Sequence, residues 1–263
     1  MGSTAKRMPA IFFGHGSPMV ALEDNRYTQT WARLGAAAGK PKAILFVSAH
    51  WYTRGTAVTA MDKPKTIHDF YGFPQELFDV EYPAPGDPAL AARVRELLAP
   101  TEVALDRSWG LDHGTWSVLK HAFPGADIPV VQLSIDATRP AAFHFALGTR
   151  LSPLRDEGIL IAASGNVVHN LRMMGRDGGA PCDWAVRFDE YVRDALTTRQ
   201  YDRLIEYHDA GEDARLAVPT PEHYLPLLYV LGAQREDETT AIAVDGIELG
   251  SIAMLSVAVG ASA

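Results

Sequence analysis

The chain has 263 residues, of which 47% are hydrophobic and 21% charged, a globular composition that excludes a disordered or low-complexity protein and allows one large domain with a sizeable core. Its 24 basic and 32 acidic residues leave a net charge of −8, spread along the chain rather than collected in blocks, which argues against nucleic acid or an anionic membrane as a partner. The single cysteine, Cys182, excludes an internal disulfide or a thiolate cluster, so a tightly bound metal has to use His, Asp or Glu.

Residues 1–7 are polar with no apolar stretch behind them, and no apolar run approaches the roughly 20 residues that span a bilayer. The expectation is a cytoplasmic protein with a disordered lead-in (1–7) to a single domain covering 1–263. Residues 9–13 then read as a strand, 26–38 as a helix, and 43–48 and 57–61 as strands. Residues 62–88, rich in Pro, Gly and aromatics, read as a long ordered loop that covers a site, with residues 68–73 as the part that closes over a ligand. Helices follow over 88–98 and 115–122, a strand over 128–134, a helix over 140–155 and a strand over 159–163. A mobile surface loop spans 175–182. Helices over 184–197 and 221–231 precede strands over 240–244 and 252–259. Several strands are continuously apolar, as expected when both faces are covered, and the alternation of strand and helix predicts an α/β fold.

Three of the nine histidines share a context. Ile11-Phe12-Phe13 runs into Gly14-His15-Gly16-Ser17-Pro18, the apolar run 44–47 into Ser48-Ala49-His50-Trp51, and residues 159–163 into Ser164-Gly165-Asn166 and then His169. Each is an apolar strand followed by small residues and an imidazole. One such histidine reads equally as a residue in a strand-ending turn. Three can converge on one point, because ligands of open α/β sheets bind outside the carboxyl ends of the strands. His113, in Asp112-His113-Gly114, lies at a helix start, where the positive end of the helix disfavours imidazolium; a lone histidine there is more often a capping or packing residue. His223, in Pro221-Glu222-His223-Tyr224, opens the 221–231 helix and could add a ligand to a site built from strand ends. His68, His121, His144 and His208 lie in loop or helix-surface contexts without comparable signals. No serine sits in a G-x-S-x-G elbow, and Gly14-x-Gly16 lacks the third glycine of a dinucleotide fingerprint.

These five histidine segments, taken together and in this order, resemble the DOPA 4,5-dioxygenase group of class III extradiol ring-cleavage dioxygenases, with a likeness running from Met8 to Gly260. The resemblance implies a single α/β domain whose mixed central sheet is flanked by helices on both faces, and one non-haem divalent metal ion per chain. It implies that His15 and His50 are metal ligands and that His223 supplies the remaining one. His169 would stand beside the metal as a base and can also ligate it, while His113 would contact substrate or oxygen, so His113 and His169 form the catalytic pair. Substrates would be O2 and a DOPA-like or otherwise substituted catechol, opened to a semialdehyde. The ring-cleaving chemistry implies Fe(II). The all-histidine set departs from the wider two-histidine, one-carboxylate pattern and suits Zn(II) as well. A zinc-dependent hydrolase using the same histidines is the alternative, separated by its independence of O2. The sequence leaves open which catechol is used and whether the protein is a monomer or a small homo-oligomer.

Overall fold

In β1 (Ala10–Gly14), Ala10 and Phe12 belong to one buried apolar cluster, and Ile11 and Phe13 to another. The division follows from the strand itself, whose successive side chains point to opposite faces. In β2 (Ala43–Thr53), Leu45 and Val47 join the first cluster and Ile44 and Phe46 the second. The computed structural model describes residues 7–175 and 179–260, and among these the two clusters are the two sides of one sheet. The first packs against helices Pro88–Leu97, Ala141–Leu151, Asp183–Thr197 and Leu225–Gly232, the second against Arg26–Ala38 and His113–Ala122. Strands covered on both faces need apolar residues at every position, which explains the unbroken runs in the sequence.

The remaining strands are β3 (Thr56–Thr59), β4 (Val103–Asp106), β5 (Val130–Asp136), β6 (Ile159–Gly165), β7 (Thr240–Val244), β8 (Ile247–Glu248), β9 (Ile252–Ala253) and β10 (Ser256–Val259). The large sheet has the order β4-β3-β5-β2-β6-β1-β10-β7. Pairs β5/β2, β2/β6, β6/β1 and β3/β4 are parallel, whereas β3/β5, β1/β10 and β10/β7 are antiparallel. The fold is therefore a single α/β domain with a mixed central sheet and helices on both faces, as the sequence led us to expect. Among the described residues no helix is long and apolar enough to cross a membrane.

Several boundaries depart from expectation. The apolar run 252–259 divides: β9 pairs with β8 as a small hairpin, and only β10 joins the large sheet. The amides of Ala253 and Met254 bond instead to Val168 and Gly246 carbonyls, which draws the backbone out of the ladder between the two halves. The helix over 140–155 breaks before Pro153 into Ala141–Leu151 and Pro153–Asp156, since proline has no N–H to continue the helical bonding. Residues 221–231 form a 3-10 turn, Pro221–His223, followed by the helix Leu225–Gly232. β2 runs on to Thr53, so His50 lies within the strand rather than after it. The short strand β4 and the short helices Gln75–Phe78, Tyr201–Ile205 and Glu212–Ala217 carry too little periodicity to be read from sequence.

His144 is fully buried rather than at a helix surface, with Nδ1 at 2.9 Å from the Tyr229 hydroxyl. Residues 1–6 of the expected disordered lead-in lie outside the described residues, but Arg7 is fixed by ion pairs to Asp156 and Glu238. The ends of the 175–182 loop are also fixed, the amides of Gly175 and Cys182 donating to the carbonyls of Leu249 and Gly250; residues 176–178 lie outside the described residues.

Candidate metal centre

Adjacency of β2, β6 and β1 in the sheet brings their carboxyl ends together, and each end contributes to one cluster. His15 follows Gly14 directly at the end of β1, its amide bonded to the Gly165 carbonyl across the β6 end. His50 projects from β2. The turn carrying His223 packs on the end of β6, where the Asn166 amide donates to the His223 carbonyl at 2.8 Å. A Cβ at Gly165 would collide with that same carbonyl oxygen, so the approach of the turn requires glycine. Gly114 serves similarly, since a Cβ there would lie 2.5 Å from Ser48 Oγ and 2.8 Å from the His50 ring.

The Nε2 atoms of His15 and His50 face each other at 3.2 Å. Ring centroids of His15, His50 and His223 are 5.1, 5.4 and 5.1 Å apart pairwise, and one donor atom from each lies within 4.8 Å of the other two. Burial, reinforced by the neighbouring imidazoles, holds His15 and His223 well below the ordinary histidine pKa. Burial likewise lowers His50 to about 3. All three are consequently neutral at pH 7, the form that can ligate a cation.

Two carboxylates set the ring orientations. Asp69 Oδ2 lies 3.3 Å from His50 Nδ1, and Glu222 Oε1 lies 3.2 Å from His223 Nδ1. The Glu222 carboxylate accepts a hydrogen bond from the His223 ring, which keeps the proton on Nδ1 and leaves the Nε2 lone pair free for a cation, while the Asp69 charge faces Nδ1 of His50. Among the described residues His15 Nδ1 is buried without a partner. Three neutral imidazoles of which two are fixed by outer carboxylates fit a divalent transition metal, and the nitrogen set by itself suits iron or zinc.

His113 and His169 flank the three. The His113 ring lies 3.8 Å from that of His50, and its Nδ1 is 2.9 Å from Asp69 Oδ1. Burial raises the Asp69 carboxyl, but the hydrogen bonds it accepts from His113 outweigh it and the net shift is downward, so Asp69 is ionised. His169 stacks on His223 with centroids 3.5 Å apart and planes within 6°. Its donor atom groups with those of Glu222 and His223 rather than with His15 and His50. Burial lowers its pKa to about 4. All five singled-out histidines line one cavity of about 850 Å³.

The long aromatic loop reaches this cavity at Phe73. Phe70 meets His113 edge-on at 5.5 Å, and Phe73 lines the cavity itself. His68 is part of the loop's fastening, with Nε2 at 3.0 Å from the Val80 carbonyl and the ring against Trp116. Asp69 was not singled out from the sequence, because a lone acid in an irregular loop carries no periodicity. Its one sequence signal is its position inside the aromatic run Ile67-His68-Asp69-Phe70. Asp112 is also part of the support: fully buried, it caps the helix that begins at His113 and accepts from Ser48 Oγ at 2.6 Å and from Gln132.

Residues 9–256 match the family described as the catalytic LigB subunit of aromatic ring-opening dioxygenase. The chain is 58% identical over 265 residues to a 4,5-DOPA dioxygenase extradiol of Escherichia coli (strain K12), covering 99% of this chain and 97% of that protein. It is 41% identical over 246 residues to a protein of the same description from Beta vulgaris, covering 90% and 91%. A crystal structure of an uncharacterized protein from Escherichia coli K12 superposes with a TM-score of 0.84 at 54% identity, covering 96% of this chain and 99% of that one.

Proposed function

The chain belongs to the family of catalytic LigB subunits of aromatic ring-opening dioxygenases and is an extradiol ring-cleavage enzyme, and from that premise we propose that it opens a DOPA-like or otherwise substituted catechol at a divalent metal held by His15, His50 and His223. The observation that carries the ligand assignment is the meeting of the His15 and His50 Nε2 atoms at 3.2 Å with His223 in reach of both. Iron(II) bound there would supply a chelation point for two catechol oxygens and an electron path to O2.

His113 is well suited to the proton transfers. Asp69 holds its Nδ1 proton, leaving Nε2 as an acceptor for a substrate hydroxyl, and the Asp69 charge offsets the imidazolium formed when the ring takes that proton. The same ring, once protonated, can return the proton later as a general acid. His169, neutral and stacked on His223, acts as a second acceptor beside the metal ligands. Phe70 and Phe73 exclude water from the reacting ring and strengthen these electrostatic interactions.

The donor set of neutral imidazoles also supports a zinc hydrolase reading, which shares every ligand and differs in needing no O2. Anaerobic loading with iron(II) or zinc, followed by oxygen electrode measurements with a catechol panel, tests the two. Uptake of one O2 per ring-opened product in the iron-loaded protein alone is expected. Absence of uptake for every catechol, with hydrolysis of an ester or amide by the zinc form, would overturn the dioxygenase assignment of the site.

A further inference from the structure

A bare dihydroxybenzene occupies only a small part of a cavity of about 850 Å³, a volume that suits a larger ligand. Outside the histidine cluster the cavity carries formal charge at Glu23, Arg26 and Glu248. Glu23 is engaged by the Asn25 side-chain amide at 2.8 Å. Arg26 and Glu248 are exposed at the rim and are held by one group: Tyr27 Oη accepts from Arg26 Nη2 at 2.7 Å and donates to Glu248 Oε1 at 2.6 Å. Among the described residues neither charge has an ion-pair partner within 4 Å. The guanidinium is further fixed by the chain turn between β7 and β8, where a Cβ at Gly246 would collide with Arg26 Nη2, and by its stacking 4.7 Å from the Tyr27 ring centroid. A cation and an anion, each one hydrogen bond from the same hydroxyl, are set at the mouth of the cavity whose other part holds the metal site.

We propose that Arg26 and Glu248 are the specificity site for a charged catechol substituent, Arg26 receiving a carboxylate and Glu248 an ammonium, with the Tyr27 hydroxyl hydrogen-bonded to both. The inference rests on the catechol reading above and deepens it: the cavity favours catechols with an amino acid, carboxylate or amine side chain over those with neutral substituents. Fixed charges lower the ordering cost of a charge-assisted contact. Solvent at the rim limits the gain, so each contact contributes discrimination of roughly five- to tenfold.

Wild type, Arg26→Gln and Glu248→Gln are compared on four probes that share the ring: 4-methylcatechol, 3,4-dihydroxyphenylpropionate, dopamine and L-DOPA. Each is measured as Kd by anaerobic calorimetry and as kcat/KM by oxygen uptake of the iron-loaded enzyme. Arg26→Gln is expected to reduce the preference for the propionate over 4-methylcatechol about five- to tenfold without reducing that for dopamine. Glu248→Gln should do the converse, and L-DOPA should respond to both. Preference ratios equal in all three proteins, in binding and in turnover, overturn the specificity site while leaving ring cleavage standing. Charge-selective binding with no oxygen uptake for any probe upholds the site and overturns the ring-cleavage reading instead.

Discussion

Asp69 Oδ1 accepts both the backbone N–H and the ring Nδ1–H of His113, each at 2.9 Å, while its second oxygen faces His50 Nδ1 at 3.3 Å. One loop carboxylate therefore orients a candidate metal ligand and a candidate acid–base group at once, and it fastens the aromatic loop to the site. Asp69→Ala is expected to weaken metal binding by roughly ten- to a hundredfold, the usual loss when an outer carboxylate is removed from a ligating histidine, and to lower kcat beyond the loss of metal. Metal content after dialysis against graded chelator, with kcat per bound metal, reads the two effects separately. Unchanged metal retention in Asp69→Ala would show that His50 keeps its orientation without the carboxylate.

The three proposed ligands and the proton-transfer group should separate cleanly under substitution. His15→Ala and His50→Ala each remove an imidazole from a set of three, so both variants should lose metal and activity together. His113→Ala leaves that set intact and should keep the metal while losing about a hundred- to ten-thousandfold in kcat. Elemental analysis of the purified variants beside turnover on a catechol decides this. A His15→Ala protein that binds metal as tightly as wild type would remove His15 from the coordination shell.

Gly165 offers a test of how the fold delivers His223. Its added methyl group meets the His223 carbonyl, and relief demands that the turn Pro221–His223 move away from β6. Gly165→Ala is therefore expected to cost about 1–3 kcal/mol in stability, typical of overpacking at a tight contact, and to weaken metal binding through displacement of one ligand. Denaturant midpoints and chelator competition measure the two losses. Loss of stability with full metal affinity would show that the turn can relax without moving the imidazole.

The parts of the site legible in the sequence are those set by strand periodicity. His15 is visible because an apolar strand covered on both faces announces itself and the sheet then places the residue at its carboxyl end; His50 is visible from the same kind of run, although β2 continues past it to Thr53. His223 and His113 were read as helix-start residues, and both do sit at the first turn of a helix or 3-10 segment. Asp69 was not visible, because its position depends on the path of an irregular loop whose contacts are long-range. The split of 252–259 is hidden for a related reason: β9, Met254, Leu255 and Val257–Val259 are buried and apolar, and the one polar residue, Ser256, is buried with them, so burial and apolarity do not mark where the backbone leaves the sheet. His144 looked like a surface histidine on a helix because its partner, Tyr229, is 85 positions away in the chain.

Away from the site, Asp189 makes stability depend on pH in a direction opposite to that of most carboxylates. It is buried on the helix Asp183–Thr197, with Oδ1 unpaired among the described residues and Oδ2 accepting from Arg193 at 2.8 Å. Burial raises its pKa to about 6, with Arg193 opposing the shift only in part. The folded state thus holds this proton more tightly than the unfolded chain, whose carboxyl titrates near the ordinary aspartate value of 3.8. The associated stability is fully present below pH 3.8 and is lost as pH rises through about 6, a difference on the order of 2–3 kcal/mol for a group this well buried. Asp189→Asn cannot ionise and should gain on wild type across that window, while Arg193 keeps its second partner, Asp245. Urea unfolding of the metal-free proteins at intervals from pH 4 to 7.5 gives the difference curve directly, and a difference that stays constant with pH would mean that Asp189 titrates as an ordinary exposed carboxylate.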